Sequence, residues 1–240
     1  MDHDIQPASQ GRAFRDAARV ITGVLEPLER RTLLWLASRI PRRVNSDHLT
    51  ALALGAMLVA GAAYWLAATT PLGLLVVCAA LAVNWFGDSL DGTLARVRKQ
   101  ERPRYGYYVD HVVDAVGALF LLGGLATSGF MAPALAMSLL IAYYLLAIEV
   151  YLTAHTLGRF KISYFGVGPT ELRIVLAVGT LLLAVKPTVT IAGEIYRLFD
   201  VGGAVALVGM LVTLVVNVAT NARTLYRAEP LHTRRPSAAS

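Results

Sequence analysis

The sequence predicts an all-α, polytopic membrane protein with six transmembrane helices and an N-terminal interfacial amphipathic helix. Three observations lead there. Hydrophobic residues make up 56% of the 240-residue chain and charged residues only 16%, and mean hydropathy is +0.56, a balance foreign to soluble globular domains. Six apolar stretches, near 49–69, 72–92, 107–129, 132–155, 171–190 and 200–221, approach the roughly 20 residues that a helix needs to cross a bilayer. Finally, 20 of the 22 Lys and Arg residues fall in segments that six crossings would place on one side, which the positive-inside rule makes cytoplasmic.

Taken in order, residues 1–45 form a cytoplasmic and interfacial segment, too polar and arginine-rich to read as a cleavable secretory signal. Within it, "VLEPLERRTLLWLASR" at 24–39 sets Leu25, Leu28, Thr32 and Trp35 on one helical stripe with charges opposite. That pattern suits a helix lying in the membrane interface, or equally the solvated approach to the first span. Residues 46–222 form the six-helix membrane domain, punctuated by "TTP" at 69–71, "SGFMAP" at 128–133, the polar "TLGRFKISYFGVGPTE" at 156–171 and "KPTVTIAGE" at 186–194. Residues 223–240 read as a disordered cytoplasmic tail. Both termini are expected in the cytoplasm, with only Lys186 and Arg197 on the far side. The pI of about 9.7 then reflects topology and attraction to anionic lipid, so nucleic acid is not a required partner. A lone Cys78 excludes an intrachain disulfide and reads as a small apolar filler.

The acidic residues are not spread evenly. Asp88 and Asp91 stand at the cytoplasmic end of the second span, Asp110 and Asp114 at the start of the third. Spacings of three and four place each pair on one helix face, and a short connection makes the helices antiparallel neighbours, so the four carboxylates converge. They cannot all stay ionised in a low dielectric without a cation. All-oxygen ligation points to Mg2+ or Mn2+, and the lack of a Cys or His cluster argues against zinc. A pair of such ions clamps the attacking and leaving oxygens of a phosphoryl displacement.

Gly92 and Ala95 permit close approach to the backbone, and Arg96 offers a planar fork for phosphate oxygens. Taken singly, Gly92 and Ala95 serve helix packing, Arg96 is a snorkelling charge, and Gly106 merely begins a helix. Taken together, Asp88, Asp91, Gly92, Ala95, Arg96, Gly106, Asp110 and Asp114, in the order D-x2-D-G-x2-A-R-x9-G-x3-D-x3-D, resemble the signature of the CDP-alcohol phosphotransferase family. The resemblance spans about 45–220.

The resemblance implies roles residue by residue. Asp88, Asp91, Asp110 and Asp114 are the expected ligands of two divalent ions, with Asp88 and Asp110 touching both. Asp114 also serves as general base on the acceptor hydroxyl. Gly92, Ala95, Arg96 and Gly106 fall where the family holds the CDP moiety. "SDHLT" at 46–50 is similar to the family's Pro-Asn-x-x-Thr element, with Ser46 and Asp47 in place of Pro and Asn, which assigns Asp47 and Thr50 to the nucleotide. Helix capping is the alternative for Asp47. Pro103 stands where some members carry a hydroxyl. The implied reaction transfers a substituted phosphate from a CDP-linked donor to an acceptor alcohol with release of CMP, at the cytoplasmic face of the membrane. CDP-diacylglycerol with a small, phosphorylated acceptor such as glycerol 3-phosphate or an inositol phosphate is the expected pairing; headgroup transfer from CDP-choline or CDP-ethanolamine to diacylglycerol is the alternative. A homodimer is in keeping with the family.

Arg159, Lys161 and Arg173, in "GRFKISYFGVGPTELR" at 158–173, are candidate contacts for an acceptor phosphate, and for Arg159 and Lys161 topology alone is sufficient reason. Glu171 is expected to pair with Arg173 or Lys161. Glu149, within the fourth span, reads as a headgroup contact or half of an ion pair, and His111 and His155 as packing or interfacial residues. A cation-coupled transporter would also keep intramembrane carboxylates, but it gives no reason for the Gly, Ala and Arg between them. A polyprenyl-diphosphate transferase requires a second acidic motif, and none follows Asp114. An inactive scaffold has no use for all eight motif residues.

Overall fold

A computed structural model of the protein describes residues 18–20, 25–161 and 168–229. A short strand, β1 (Ala18–Val20), precedes α1 (Glu26–Ala37), α2 (Ser46–Ala67), α3 (Leu72–Val97), α4 (Pro103–Thr127) and α5 (Pro133–Leu157). Strand β2 (Arg159–Lys161), α6 (Pro169–Leu183), the hairpin β3 (Thr188–Ile191) and β4 (Glu194–Arg197), and α7 (Leu198–Ala228) complete the order. The all-α expectation holds apart from two two-stranded ribbons, β1 with β2 in parallel and β3 with β4 antiparallel.

Among the described residues five helices, α2, α3, α4, α5 and α7, are long and apolar enough to cross a membrane by length and composition. The expected span at 171–190 is a shorter object. Helix α6 has 15 residues, about 22 Å at 1.5 Å per residue, against a hydrocarbon core of about 30 Å. Pro187 cannot continue it, and the β-branched "TVTI" that follows pairs as β3. Ala192 and Gly193, both at positive φ, form the tight turn to β4. Helix α7 runs to Ala228, past position 222, and residues 230–240, which carry most of the expected disordered tail, lie outside the described residues.

Asn45, rather than Asp47, caps α2. Its side chain accepts from the His48 amide at 3.0 Å while its own N–H donates to His48 Nδ1 at 3.2 Å, a reciprocal capping box. Helix α2 then packs between α3 and α4. At its middle Gly61 meets Gly124 of α4 so closely that a Cβ on Gly124 would lie 2.4 Å from the Gly61 Cα. Among the other helical glycines, Gly117 and Gly203 face neighbouring side chains, whereas Gly123, Gly202 and Gly209 face open space. Tyr64 and Thr180, both fully buried, share a hydrogen bond of 2.6 Å that ties α2 to α6. Around them Val77, Leu81, Leu125, Ala136 and Phe199 form the main apolar core.

A second core lies beside the acidic residues. Leu33 and Ala37 of α1 pack with Leu49, Leu90 and Leu94. The face of α1 that docks is therefore not the expected stripe: Leu28 and Trp35 point outward, 66% and 54% exposed, and Arg39 lies over the Trp35 ring at 3.7 Å. The helix has two apolar faces. Helix α7 is largely exposed and apolar, as a lipid-facing helix is, and is held to α5.

Candidate active site

Helices α3 and α4 deliver the acidic residues. One carboxylate oxygen from each of Asp88, Asp110 and Asp114 lies within 4.8 Å of the others, close enough for one cation to touch all three. Asp88 and Asp110 are half-buried and Asp114 is exposed. Asp91 is not drawn into this group. Its Oδ2 accepts from Thr50 Oγ1 at 2.6 Å and its Oδ1 from the Gly92 amide at 2.5 Å. Three residues along a helix amount to about 300° of rotation, so Asp88 and Asp91 diverge by about 60° around α3, and Asp91 leans toward α2. Ser46 Oγ also donates to the Asp91 carbonyl, and Thr50 shares its hydroxyl with the Ser46 carbonyl at 3.1 Å. The first turn of α2 is thus stitched to Asp91, while Asp47 turns to an exposed pair with Arg102.

The backbone between the acidic pairs is open. A Cβ at Gly92 would meet only the Arg96 guanidinium, at 3.6 Å, and one at Gly106 would meet nothing within 4 Å. Neither glycine is where a neighbouring helix presses, so the space beside them is available to a ligand. Arg96 is exposed and donates to Thr93 Oγ1 at 3.2 Å, and Ala95, one residue earlier, is half-buried.

Arg173 reaches this centre from α6. Its Nη2 donates to Asp88 Oδ2 at 2.5 Å, and its Nε to Asn84 Oδ1 at 2.8 Å. Asn84 in turn donates to the Ala53 carbonyl at 3.0 Å. The remaining nitrogen, Nη1, is buried without a hydrogen-bond partner among the described residues, an arrangement that is costly unless a hydrogen-bond acceptor fills it. The side chains of Arg159 and Lys161 lie outside the described residues.

Several roles were not apparent beforehand. Asn84 stands one turn before Asp88 on α3, and that four-residue spacing was the available signal. His111 is wedged against Tyr107, with ring centroids 4.1 Å apart, and Tyr151 at 4.6 Å, with Nδ1 3.6 Å from Asp110 Oδ2; this puts an aromatic wall behind Asp110. Glu171 accepts from the Gly168 amide at 3.0 Å and the Leu25 amide at 3.1 Å, joining α6 to α1. Glu149, expected to meet a headgroup or a cation, is buried and instead accepts from Thr153 at 2.8 Å and from Asn221 at 2.6 Å across the α5 and α7 contact.

The donor set fits a hard divalent cation: three carboxylate oxygens and no sulfur or imidazole among them. No curated protein matches the chain. A family model described as CDP-alcohol phosphatidyltransferase matches residues 44–219, a range that holds α2 through most of α7 and every acidic residue of the site. Its members move a substituted phosphate from a CDP-alcohol to an acceptor alcohol, serve phospholipid biosynthesis and generally depend on a divalent metal. With well over half of its length matched, this integral membrane protein belongs to the CDP-alcohol phosphatidyltransferase family and is a transferase of substituted phosphate groups.

Proposed function

We propose that the protein transfers a phosphatidyl group from CDP-diacylglycerol to a small phosphorylated alcohol, of the glycerol 3-phosphate or inositol phosphate type, and releases CMP. The observation that carries this reading is the Arg173 guanidinium. It lies against the carboxylate cluster with Nη1 buried and without a hydrogen-bond partner among the described residues, which favours an acceptor bearing its own anionic group over neutral diacylglycerol. Family membership favours a transferase over the transporter reading.

In this proposal Asp88, Asp91, Asp110 and Asp114 hold two Mg2+ or Mn2+ ions. A divalent ion there supplies the charge that neutralises the donor's diphosphate. The remaining work belongs to the chain. Asp114, the most open of the three clustered carboxylates, takes the proton of the acceptor hydroxyl. The acceptor oxygen bonds to the phosphorus on the diacylglycerol side, the bond from that phosphorus to the bridging oxygen breaks, and CMP leaves with the electron pair. Gly92, Ala95 and Gly106 let the CDP approach the backbone, Arg96 contacts its phosphates, and Asp47 and Thr50 lie on the nucleotide side. Arg173 faces the acceptor, and Arg159 and Lys161 are assigned to the acceptor phosphate by their place in the sequence.

We further propose that α6 makes a sixth crossing, with the membrane domain at 46–222 and the site and both termini cytoplasmic, because only this parity gathers the basic segments on one side. The test is CMP release by purified protein in detergent with CDP-diacylglycerol, Mg2+ or Mn2+ and a panel of acceptors. One phosphorylated acceptor should support release, and Asp114→Asn should lower kcat by at least about 100-fold. Release with diacylglycerol and CDP-choline instead would overturn the acceptor assignment, and no release with any pair would overturn the reaction.

A further inference from the structure

We propose that Glu29 is a positioning residue for this reaction: from α1 it fixes the start of α6, and with it Arg173, against the Asp88 face of α3. The inference rests on the acceptor role given to Arg173 above. A single carboxylate oxygen, Glu29 Oε1, accepts three hydrogen bonds. Two come from α3, Trp85 Nε1 at 2.8 Å and Ser89 Oγ at 3.1 Å, and one from α6, Thr170 Oγ1 at 2.7 Å. Ser89 adjoins Asp88, and Thr170 stands three residues before Arg173, just under one helical turn. The oxygen therefore bridges both helices at the level where Arg173 meets Asp88.

A second tie runs alongside. The Leu25 amide at the start of α1 donates to Glu171 Oε1 at 3.1 Å, so α1 grips α6 through two successive residues, Thr170 and Glu171. Along the same face, one and two turns after Glu29, Leu33 and Ala37 fix α1 to α3 in their apolar cluster with Leu90 and Leu94. Helix α1 thus spans the seam between α3 and α6, with Glu29 as its polar contact to both. Arg173 can present its free nitrogen to an acceptor only while α6 keeps its register on α3, and supports of this kind, one step removed from the reacting groups, set the affinity of the groups they hold.

Kinetics on the full chain in nanodiscs test this. Glu29→Ala should raise the acceptor KM on the order of tenfold and leave the CDP-diacylglycerol KM within about twofold. In an Arg173→Gln background the same substitution should cost less than about twofold, because the residue it positions is gone. Glu29→Gln, whose amide oxygen still accepts, should recover most of the loss, and Thr170→Val, which removes one donor, should reproduce part of it. An equal loss in both backgrounds, or donor and acceptor KM rising together, would overturn the positioning role. Should the wild-type chain release no CMP, the reaction reading fails on its own. Spin labels at Arg31 and Leu172, in a Cys78→Ser background, then decide whether Glu29 holds α6: a narrow distance distribution that broadens in Glu29→Ala supports it, and an unchanged one overturns it.

Discussion

Asn84 joins three helices with one side chain. It donates to the Ala53 carbonyl on α2 and accepts from Arg173 on α6 while sitting on α3. Asn84→Leu therefore removes the acceptor that orients the guanidinium, and the expected result is an acceptor kcat/KM lower by roughly tenfold, read in the CMP assay. Asp91 makes the opposite point. Thr50→Val should release its Oδ2 from α2, and because a hydrogen bond to a charged group contributes about 1.5–3 kcal/mol, the apparent metal affinity in a Mn2+ titration should change with it. The grouping of Asp88, Asp110 and Asp114 was legible because local spacing put them on facing helices. That of Asn84, and the turning away of Asp91, were not. Arg173 lies 89 residues beyond Asn84 and Thr50 lies 41 before Asp91, and helical periodicity carries no information across such separations.

At the level of elements, the crossing of α2 and α4 depends on the absence of side chains. Gly124→Ala would drive a Cβ to 2.1 Å from the Gly61 carbonyl oxygen, and forcing the helices apart should cost about 1–3 kcal/mol, seen as a lower midpoint of thermal unfolding in detergent. The contact of α5 and α7, apolar where Gly203 meets Leu135 and Leu139, is polar around Glu149. Glu149→Leu would leave the amides of Asn217 and Asn221 without their carboxylate, with an expected loss of about 1–3 kcal/mol. The long helices were readable from hydropathy, although α3 and α7 run on past the expected ends at 92 and 221 to Val97 and Ala228. Helix α6 was not, since "KPTVT" adds apolar character without adding helix; the stop is set by Pro187 and by the pairing of β3 with β4. The docking face of α1 was likewise hidden, because its amphipathic stripe and its buried stripe both contain leucines, and only the partner residues on α3 distinguish them.

For the whole molecule, the site is a seam where α2, α3, α4 and α6 meet, covered from one side by α1. Its activity should require an added divalent ion: chelation should abolish CMP release and Mg2+ or Mn2+ should restore it, whereas recovery without any metal would remove the proposed cofactor. The four carboxylates and Arg173 come from three helices, so the site exists only once those helices are together.

The hydrogen bonds from α7 to Glu149 also bear on how the chain is made. Asn217 and Asn221 lie in the last described helix and leave the ribosome after every other span. Until they arrive, Glu149 has Thr153 of its own helix as its described hydrogen-bond partner, and its carboxylate faces the lipid or the insertion machinery. A nascent chain halted after Leu183 would display that acid without the two α7 amides that bond it in the finished molecule, a feature by which membrane proteases can tell an unfinished molecule from a finished one. Pulse-chase labelling should show such a truncated chain degraded faster than the full-length protein, and Glu149→Leu should lengthen its lifetime.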